Sequence, residues 1–311
     1  MLTSDQNRKI NEIVEEFKEA ADFYRMEYSE DLMGMFRDFG CMLLLKCKVD
    51  TEGKADLERL LEGRHKLKGT VKRQLMTVSE ELAQLWEPGE QDGSGDTGEY
   101  EGSQNVWEMF QTALEEIFHF CLYSKGGKNR YLLPEETAKP LLRLLTFPEG
   151  MMAGNEGLVV LDTQCGAGSA LMAASRYLKN LRLMGYEKDE EMWAAAVIMS
   201  QLSGLEMELH LEDGARADLY ESCDLVISNP VYGTDTIKDE ELIDQLPGEL
   251  KTVRGRYHME LIRSMQALNF DGKAMLIVPN SFLFANRTES MKVRKWLLQS
   301  YSLEAIISLP E

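Results

Sequence analysis

The chain has 311 residues, 44% of them hydrophobic, and its 34 basic and 53 acidic residues give a formal net charge of −19. This length exceeds one typical domain and the hydrophobic fraction excludes wholesale disorder, so we expect two units that each bury a core. No apolar run reaches the roughly 18 to 20 residues of a membrane span, which predicts a cytoplasmic protein, and the negative charge argues against one that coats nucleic acid through bulk electrostatics.

Residues 1–88 are predicted to form an N-terminal helical domain. Apolar residues recur there at three- and four-residue steps, which is typical of amphipathic helices. The first such face comprises Ile10, Ile13, Val14, Phe17 and Ala21.

Residues 89–104 are predicted to form an acidic, glycine-rich linker or loop. They hold five acidic residues and neither a basic nor an aliphatic one, so they cannot bury enough surface to offset their ordering entropy. The second predicted domain is 105–311. It opens with a helical lead-in over 105–150, in which a helix is predicted over about Val106–Tyr123.

From residue 158 onward, short apolar runs alternate with amphipathic stretches. This alternation is typical of crossover units in a parallel sheet, so we predict an α/β, doubly wound, mostly parallel sheet over 158–311 with its ligand at the carboxyl ends of the strands. The predicted strands are Leu158–Leu161, Leu181–Tyr186, Met207–Leu211, Asp224–Ser228, Ala274–Val278 and Ala305–Leu309. The predicted helices are Ala170–Leu178, Glu191–Leu202, Tyr257–Leu268 and Ser290–Leu298.

A glycine loop, Asp162-Thr-Gln-Cys165-Gly166-Ala-Gly168, follows the first predicted strand and opens a helix. Glycines let the backbone turn tightly and approach a ligand, and free amides at a helix start favour an anionic group. Glu187 closes the next strand, where a carboxylate suits ribose hydroxyls. The pattern fits a nicotinamide nucleotide or S-adenosylmethionine, and a plain tight turn stays open; the absent third glycine weakens the nicotinamide interpretation.

A second motif, Ser228-Asn229-Pro230-Val231-Tyr232, follows the fourth predicted strand. The Asn229 side chain and the Pro230 carbonyl can accept the two hydrogens of a planar amine, and Tyr232 can stack on its ring. A lone Asn-Pro is usually only a turn, but its place at a strand end favours a functional role.

The order of these motifs resembles the amino-group methyltransferases that act on adenine in DNA. The segments Phe270–Phe284, Val293–Leu298 and Leu303–Pro310 resemble the modification subunit of type I restriction systems in particular. Upstream, Asn129–Ala138 lies where that family carries an aromatic-Thr-Pro segment beside the cofactor. The resemblance covers about 125–311 and implies the S-adenosylmethionine-dependent methyltransferase fold.

The resemblance also implies roles for individual residues. The loop from Asp162 through Cys165 and Gly166 to Gly168 would hold the methionine part of S-adenosylmethionine, Glu187 its ribose and Asp213 its adenine amino group. Pro134 and Asn229 would also line the cofactor site. Asn229, Pro230 and Tyr232 would hold a target adenine rotated out of the duplex, and no metal is implied.

Three departures from the family pattern leave alternatives open. Val231 replaces the second proline of the Asn-Pro-Pro-Tyr motif, and Leu133 replaces a threonine. The sequence ends at Glu311, where family members continue into an antiparallel strand and further helices, so we expect either a longer natural chain or a sheet without that edge strand. The alternatives are a binding module with weakened activity and a methyltransferase that acts on a protein glutamine or an RNA base.

The charge distribution bears on partners. Residues 151–235 contain five basic and 14 acidic residues, whereas 236–311 contain ten of each. We therefore expect that DNA is bound together with a partner subunit that supplies positive surface. The resemblance implies that this partner is a specificity subunit, and that a restriction subunit or a second copy of the chain is a further partner. Some basic residues near the predicted strand ends are candidate DNA contacts: Arg254, Arg256, Arg287, Lys292, Arg294 and Lys295. Cys165 is not expected to act as a nucleophile.

Overall fold

The computed structural model describes residues 2–29, 31–49, 59–60, 67–86, 101–124, 132–145, 157–219, 222–230 and 236–309, with the backbone alone for 101–105 and 135–136. The chain divides into two compact units. The first comprises Met1–Arg130 and Ala194–Glu206, and the second comprises Tyr131–Trp193 and Met207–Glu311. Within the described ranges, no helix combines the length and the apolar character needed to cross a membrane.

The first unit is helical. Its helices are α1 (Ser4–Glu27), α2 (Met33–Lys46), α3 (Gly69–Ala83) and α4 (Glu101–Leu122). Helix α1 begins with a capping box, in which the Thr3 hydroxyl accepts the Gln6 amide at 3.3 Å and the Gln6 side chain accepts the Thr3 amide at 2.7 Å. The apolar face predicted for α1 is buried, and the rings of Phe17 and Phe39 pack edge to face with centroids 5.0 Å apart.

Helix α4 begins earlier than the sequence predicts. A linker up to residue 104 and a helix from Val106 are expected, whereas α4 begins at Glu101. The polar first turn has no apolar repeat that could reveal it, although an acidic residue suits the positive end of a helix. The predicted linker residues 89–100 lie outside the described residues.

Helix α4 also groups with the first unit, whereas the sequence predicts a domain boundary after residue 104. Its apolar face packs on α1 and α2, and the rings of Phe118 and Phe36 lie with centroids 5.1 Å apart. The period of the apolar residues predicts such a face, but it does not say which element covers it.

The second unit contains a parallel sheet. Its strands are β1 (Leu158–Asp162), β2 (Leu181–Glu187), β3 (Met207–Leu211), β4 (Cys223–Ser228) and β5 (Leu268–Leu276), in the order β3-β2-β1-β4-β5. All four strand pairs are parallel, which confirms the predicted α/β fold. The second unit also contains the helices α5 (Glu135–Leu144), α6 (Ser169–Tyr177), α8 (Glu240–Asp244), α9 (Arg256–Gln266), α10 (Asn280–Phe284) and α11 (Thr288–Ser300). Helix α7 (Glu190–Leu202) begins in the second unit, and its residues from Ala194 onward group with the first unit.

The sixth predicted strand, Ala305–Leu309, is wrong. These residues have no regular secondary structure, and Ile306 and Ile307 are 65% and 46% exposed. A strand exists only where a neighbour satisfies its backbone groups, and within the described part of the chain none pairs with this segment. The fifth strand begins at Leu268 instead of Ala274, and its pairing with β4 has a register shift between Cys223 and Leu225.

Candidate functional site

The carboxyl ends of β1 to β4 meet at one edge of the sheet. Strand β1 pairs with β2 on one side and with β4 on the other, so that Leu161 lies opposite both Met184 and Val226. The chain order reverses between β1 and β4, and such a switch point is where open parallel sheets bind ligands. This edge collects the residues that the sequence singles out after each strand.

The loop between β1 and α6 turns through two glycines in the left-handed region. Gly166 has φ 56° and Gly168 has φ 79°, values at which a side chain would strain the backbone. The Cys165 amide donates to the Tyr186 carbonyl at 2.9 Å, and the Gly166 amide donates to Glu187 Oε2 at 3.0 Å. The glycine loop is therefore fastened to the end of β2, as the sequence predicts for two parts of one site.

One carboxylate at this edge, Asp162, is buried, and a second, Glu187, is half-buried. The Asp162 side chain accepts the Gln164 amide at 3.0 Å, and the Glu187 side chain accepts the Asp189 amide at 2.7 Å. Burial raises the pKa of Asp162 to about 7, with a smaller rise from Glu187, and the hydrogen bond from Gln164 only partly opposes it. Burial also raises the pKa of Glu187. Ionising these two carboxyl groups in the folded protein therefore costs free energy. A ligand that carries positive charge or hydrogen-bond donors suits such a site.

We expect Asp162→Asn to stabilise the protein more at pH 8 than at pH 5.5, by about 2 kcal/mol. The folded-state pKa of Asp162 lies near 7 and its ordinary value is 3.8, so the folded state favours the protonated carboxyl. The cost of ionising it is nearly absent below pH 4 and grows as the pH rises toward 7. Urea unfolding at both pH values measures the difference. An equal gain for Asp162→Asn at both pH values would contradict the prediction.

The loop after β3 packs directly on the glycine loop. A Cβ on Gly214 would overlap the Thr163 carbonyl and lie 2.9 Å from Tyr186 Cβ, so only glycine fits there. This close approach brings Asp213 to the shared edge. Asp213 already has partners, because its carboxylate accepts the Ala215 amide at 3.2 Å and lies 2.7 Å from Arg256 Nη2.

The Asn-Pro motif follows β4 at the same edge. Asn229 is half-buried and Pro230 is buried. The preceding Ser228 is anchored by its carbonyl, which accepts the Ile277 amide at 2.9 Å. Val231 and Tyr232 lie outside the described residues, so the aromatic part of the motif stays a prediction from the sequence.

Pro134 lies beside the start of α6. It precedes α5 with extended backbone, and the amide of its neighbour Leu133 donates to Ser169 Oγ at 3.2 Å. Ser169 directly follows Gly168. The upstream segment therefore reaches, through Leu133, the residue that follows the glycine loop, and a role for Pro134 itself stays a prediction.

Several basic residues near the strand ends are bound to the protein itself. Arg254 donates to the carbonyls of Lys251 and Val253, Arg294 donates to that of Ala285, and Lys292 donates to Thr252. Arg287 and Lys295 are exposed. As candidate DNA contacts, the exposed pair is the better supported.

The sequence did not predict two interactions at this edge, those of Arg256 with Asp213 and with Glu260. Glu260 on α9 is buried and lies 2.7 Å from Arg256, which itself contacts Asp213. Their spacing of four residues was the available signal, but such pairs are common on solvated helix faces. For Cys165, burial raises the pKa of the thiol well above its ordinary value, and Asp162 and Glu187 raise it further.

Comparison with known proteins identifies a family to which the sequence matches and solved structures with a similar fold. The family model described as N-6 DNA Methylase matches residues 110–311. The methylase subunit of the type I restriction enzyme MjaVII from Methanocaldococcus jannaschii is 24% identical over 281 residues, which cover 82% of this chain. The match spans only 44% of that relative's length.

Two solved structures share the fold. A putative class I S-adenosylmethionine-dependent methyltransferase from Listeria monocytogenes is similar with a TM-score of 0.62 and 17% identity, covering 94% of this chain and 80% of that one. The methyltransferase subunit of a type I restriction-modification system from Streptococcus thermophilus is similar with a TM-score of 0.56 and 16% identity, covering 93% and 79%. At these identities the likeness establishes the fold, which agrees with the methyltransferase fold expected from the sequence.

Proposed function

Since this chain belongs to the N-6 DNA methylase family, we propose that it transfers a methyl group from S-adenosylmethionine to the N6 amino group of adenine in DNA, as a type I modification subunit does. One observation carries the proposal. A glycine loop, three carboxylates and the Asn229-Pro230 motif follow successive strands and meet at the switch point of a parallel sheet.

The residues at this edge divide among the parts of the cofactor. The glycine loop from Asp162 to Gly168 would hold the methionine part, Glu187 the ribose hydroxyls and Asp213 the adenine amino group. Pro134 would close the site from the upstream side. A cation, a pair of hydroxyls and an amine are the groups that buried carboxylates bind well.

The local packing fits such a ligand. Among the described residues, a Cβ placed on Gly166 would contact only Met192 Cε, at 3.5 Å, so they leave open space at the turn of the loop. Two buried oxygens at the strand ends, Gln164 Oε1 and Ser228 Oγ, have no hydrogen-bond partner within the described part of the chain. Buried polar atoms are normally satisfied, so these acceptors indicate a polar ligand.

The proposed chemistry is positioning and electrostatics. S-adenosylmethionine supplies, when bound, a methyl group activated by its sulfonium. Asn229 and the Pro230 carbonyl would accept both amino hydrogens of an adenine rotated out of the duplex, which raises electron density on the nitrogen and aligns its lone pair. Tyr232 would stack on the base, a role that rests on the sequence motif alone.

The charge of the chain supports a partner for DNA binding. The net charge is −19, and even the C-terminal 236–311 only balances ten basic against ten acidic residues. We infer that a specificity subunit supplies the positive surface and the sequence recognition, with Arg287 and Lys295 contributing contacts. A restriction subunit or a second copy would complete the assembly, which acts on DNA in the cytoplasm.

Cofactor titration and product analysis test this function. Calorimetry with S-adenosylmethionine should show saturable binding, and incubation with unmethylated DNA and a specificity subunit should yield N6-methyladenine. RNA and a glutamine-containing peptide serve as competing acceptors. Binding without any methylated product would favour the binding module, and methylation of RNA or peptide instead of DNA would change the substrate. Absence of cofactor binding would exclude every methyltransferase interpretation.

A further inference from the structure

The carboxylate proposed for the cofactor's adenine is already bound to a cation of the chain. Asp213 lies 2.7 Å from Arg256 Nη2 in a hydrogen bond between charged groups. Both side chains are largely buried, at 19% and 23% exposure. A guanidinium binds a carboxylate more strongly than a neutral amine does, so an adenine amino group would have to compete with Arg256.

Arg256 has a second carboxylate within reach. Its Nε lies 2.7 Å from Glu260 Oε1, one helical turn further along α9. The two atoms are close but not aligned as a hydrogen bond. Arg256 Nε therefore has no hydrogen-bond partner within the described residues. Burial raises the pKa of Glu260 to about 7, and Arg256 and Lys188 are the cations that oppose this rise. Arg256 is thus shared between two carboxylates and is not fully satisfied by either.

A cavity adjoins this ion pair. It has a volume of about 460 Å³, and its lining includes Asp213, Arg216, Lys238, Asp239 and Arg256. Arg216 Nε lies 3.9 Å from Asp213 Oδ2, the oxygen that Arg256 also contacts, but the closer partner of Arg216 is Asp239, at 2.8 Å. Arg256 therefore lies at the wall of an open space.

We propose that Arg256 competes with the cofactor's adenine amino group for Asp213 and moves fully to Glu260 when the cofactor binds. The inference rests on the proposed function, since it concerns the same cofactor site. Arg256 is then a residue that sets cofactor affinity. If its guanidinium occupies Asp213 about nine-tenths of the time, the apparent dissociation constant rises about tenfold.

Binding of S-adenosylhomocysteine to Arg256→Gln tests the competition. This probe keeps the adenine amino group but lacks the sulfonium charge, so removing a nearby cation does not by itself attract it. We expect the dissociation constant from calorimetry to fall about tenfold. Arg182→Gln is the matched control, because it breaks another 2.7 Å Arg–Glu pair at the amino ends of β2 and β3; its affinity should be unchanged.

Two further measurements separate competition from a structural role. Arg256→Gln leaves Glu260 without its main counter-charge, so R256Q/E260Q, which removes both charges, should bind as tightly as R256Q. E260Q alone leaves Asp213 as the remaining one of these two carboxylates near Arg256, so it should weaken the binding of S-adenosylhomocysteine. S-inosylhomocysteine, which has an oxygen in place of the amino group, should show no gain in R256Q.

The outcomes are distinct. Tighter binding of S-adenosylhomocysteine by R256Q or by the double variant, without a gain for the inosyl probe, supports the competition. Equal or weaker binding by both variants, when the wild type does bind, overturns the competition alone. Absence of binding by the wild type and by every variant overturns it together with the proposed cofactor site.

Discussion

Asn229→Ala is expected to lower the rate of methyl transfer by about 100- to 1000-fold while changing cofactor affinity by less than about threefold. The half-buried Asn229 follows β4 at the switch point, and Pro230 next to it is buried, so the pair is held in place. Alanine removes one of the two acceptors that would position the adenine amino group. The expected loss therefore falls on kcat, which is measured by label transfer from S-adenosylmethionine to saturating DNA.

Asn269→Ala is the matched control for this variant. Asn269 lies near the amino end of β5, where its side chain donates to Asp224 at 3.0 Å, so the same substitution is made at the opposite edge of the sheet. It should transfer methyl groups at the wild-type rate per folded molecule. Asn229→Ala that keeps more than a third of the wild-type kcat would remove Asn229 from the chemistry.

Gly214→Ala is expected to destabilise the protein by about 3 kcal/mol and to weaken cofactor binding. The new Cβ would overlap the backbone carbonyl of Thr163 and press on Tyr186, and neither can move without shifting β1 or β2. Displacing the loop would also move Asp213 from the shared edge. Urea unfolding measures the free energy of unfolding, and calorimetry measures the affinity of the fraction that folds.

Gly248→Ala is the matched control for the stability effect. No heavy atom of the described residues lies within 4 Å of the Cβ that alanine would add there, and the backbone is not in the left-handed region. We expect a change of less than about 1 kcal/mol. Equal unfolding free energies for the two variants would show that the β3 loop does not pack on the glycine loop as described.

The first four strands could be predicted from the sequence because each is a short apolar run bounded by turn residues. The start of the fifth strand was predicted too late in the chain. The strand already pairs with β4 at Leu268, but residues 269–273 interrupt its apolar pattern. The sixth was wrong because Ile306 and Ile307 are apolar in a strand-like run but have no strand beside them. Apolar pattern predicts strand propensity, whereas a strand requires a neighbour.

The residues of the candidate site likewise differ in how far the sequence predicts them. Asp162, Gly166, Gly168 and Glu187 could be found from the sequence because a strand, a glycine turn and a helix follow one another within a short stretch. Their joining through the Gly166 amide and the Glu187 carboxylate agrees with that expectation. The roles of all the site residues in binding and catalysis stay proposals.

The sequence by itself determined the fold class, the family resemblance and the strand-end residues, because these depend on local order along the chain. Only the tertiary structure decided that Arg256 contacts Asp213 and Glu260, that Gly214 touches Thr163, and that α4 belongs with the first unit. Asp213 and Arg256 are 43 residues apart in the chain. Contacts at such separations depend on how the strands order in the sheet and how the helices pack, and neither is encoded in the spacing of residues along one segment.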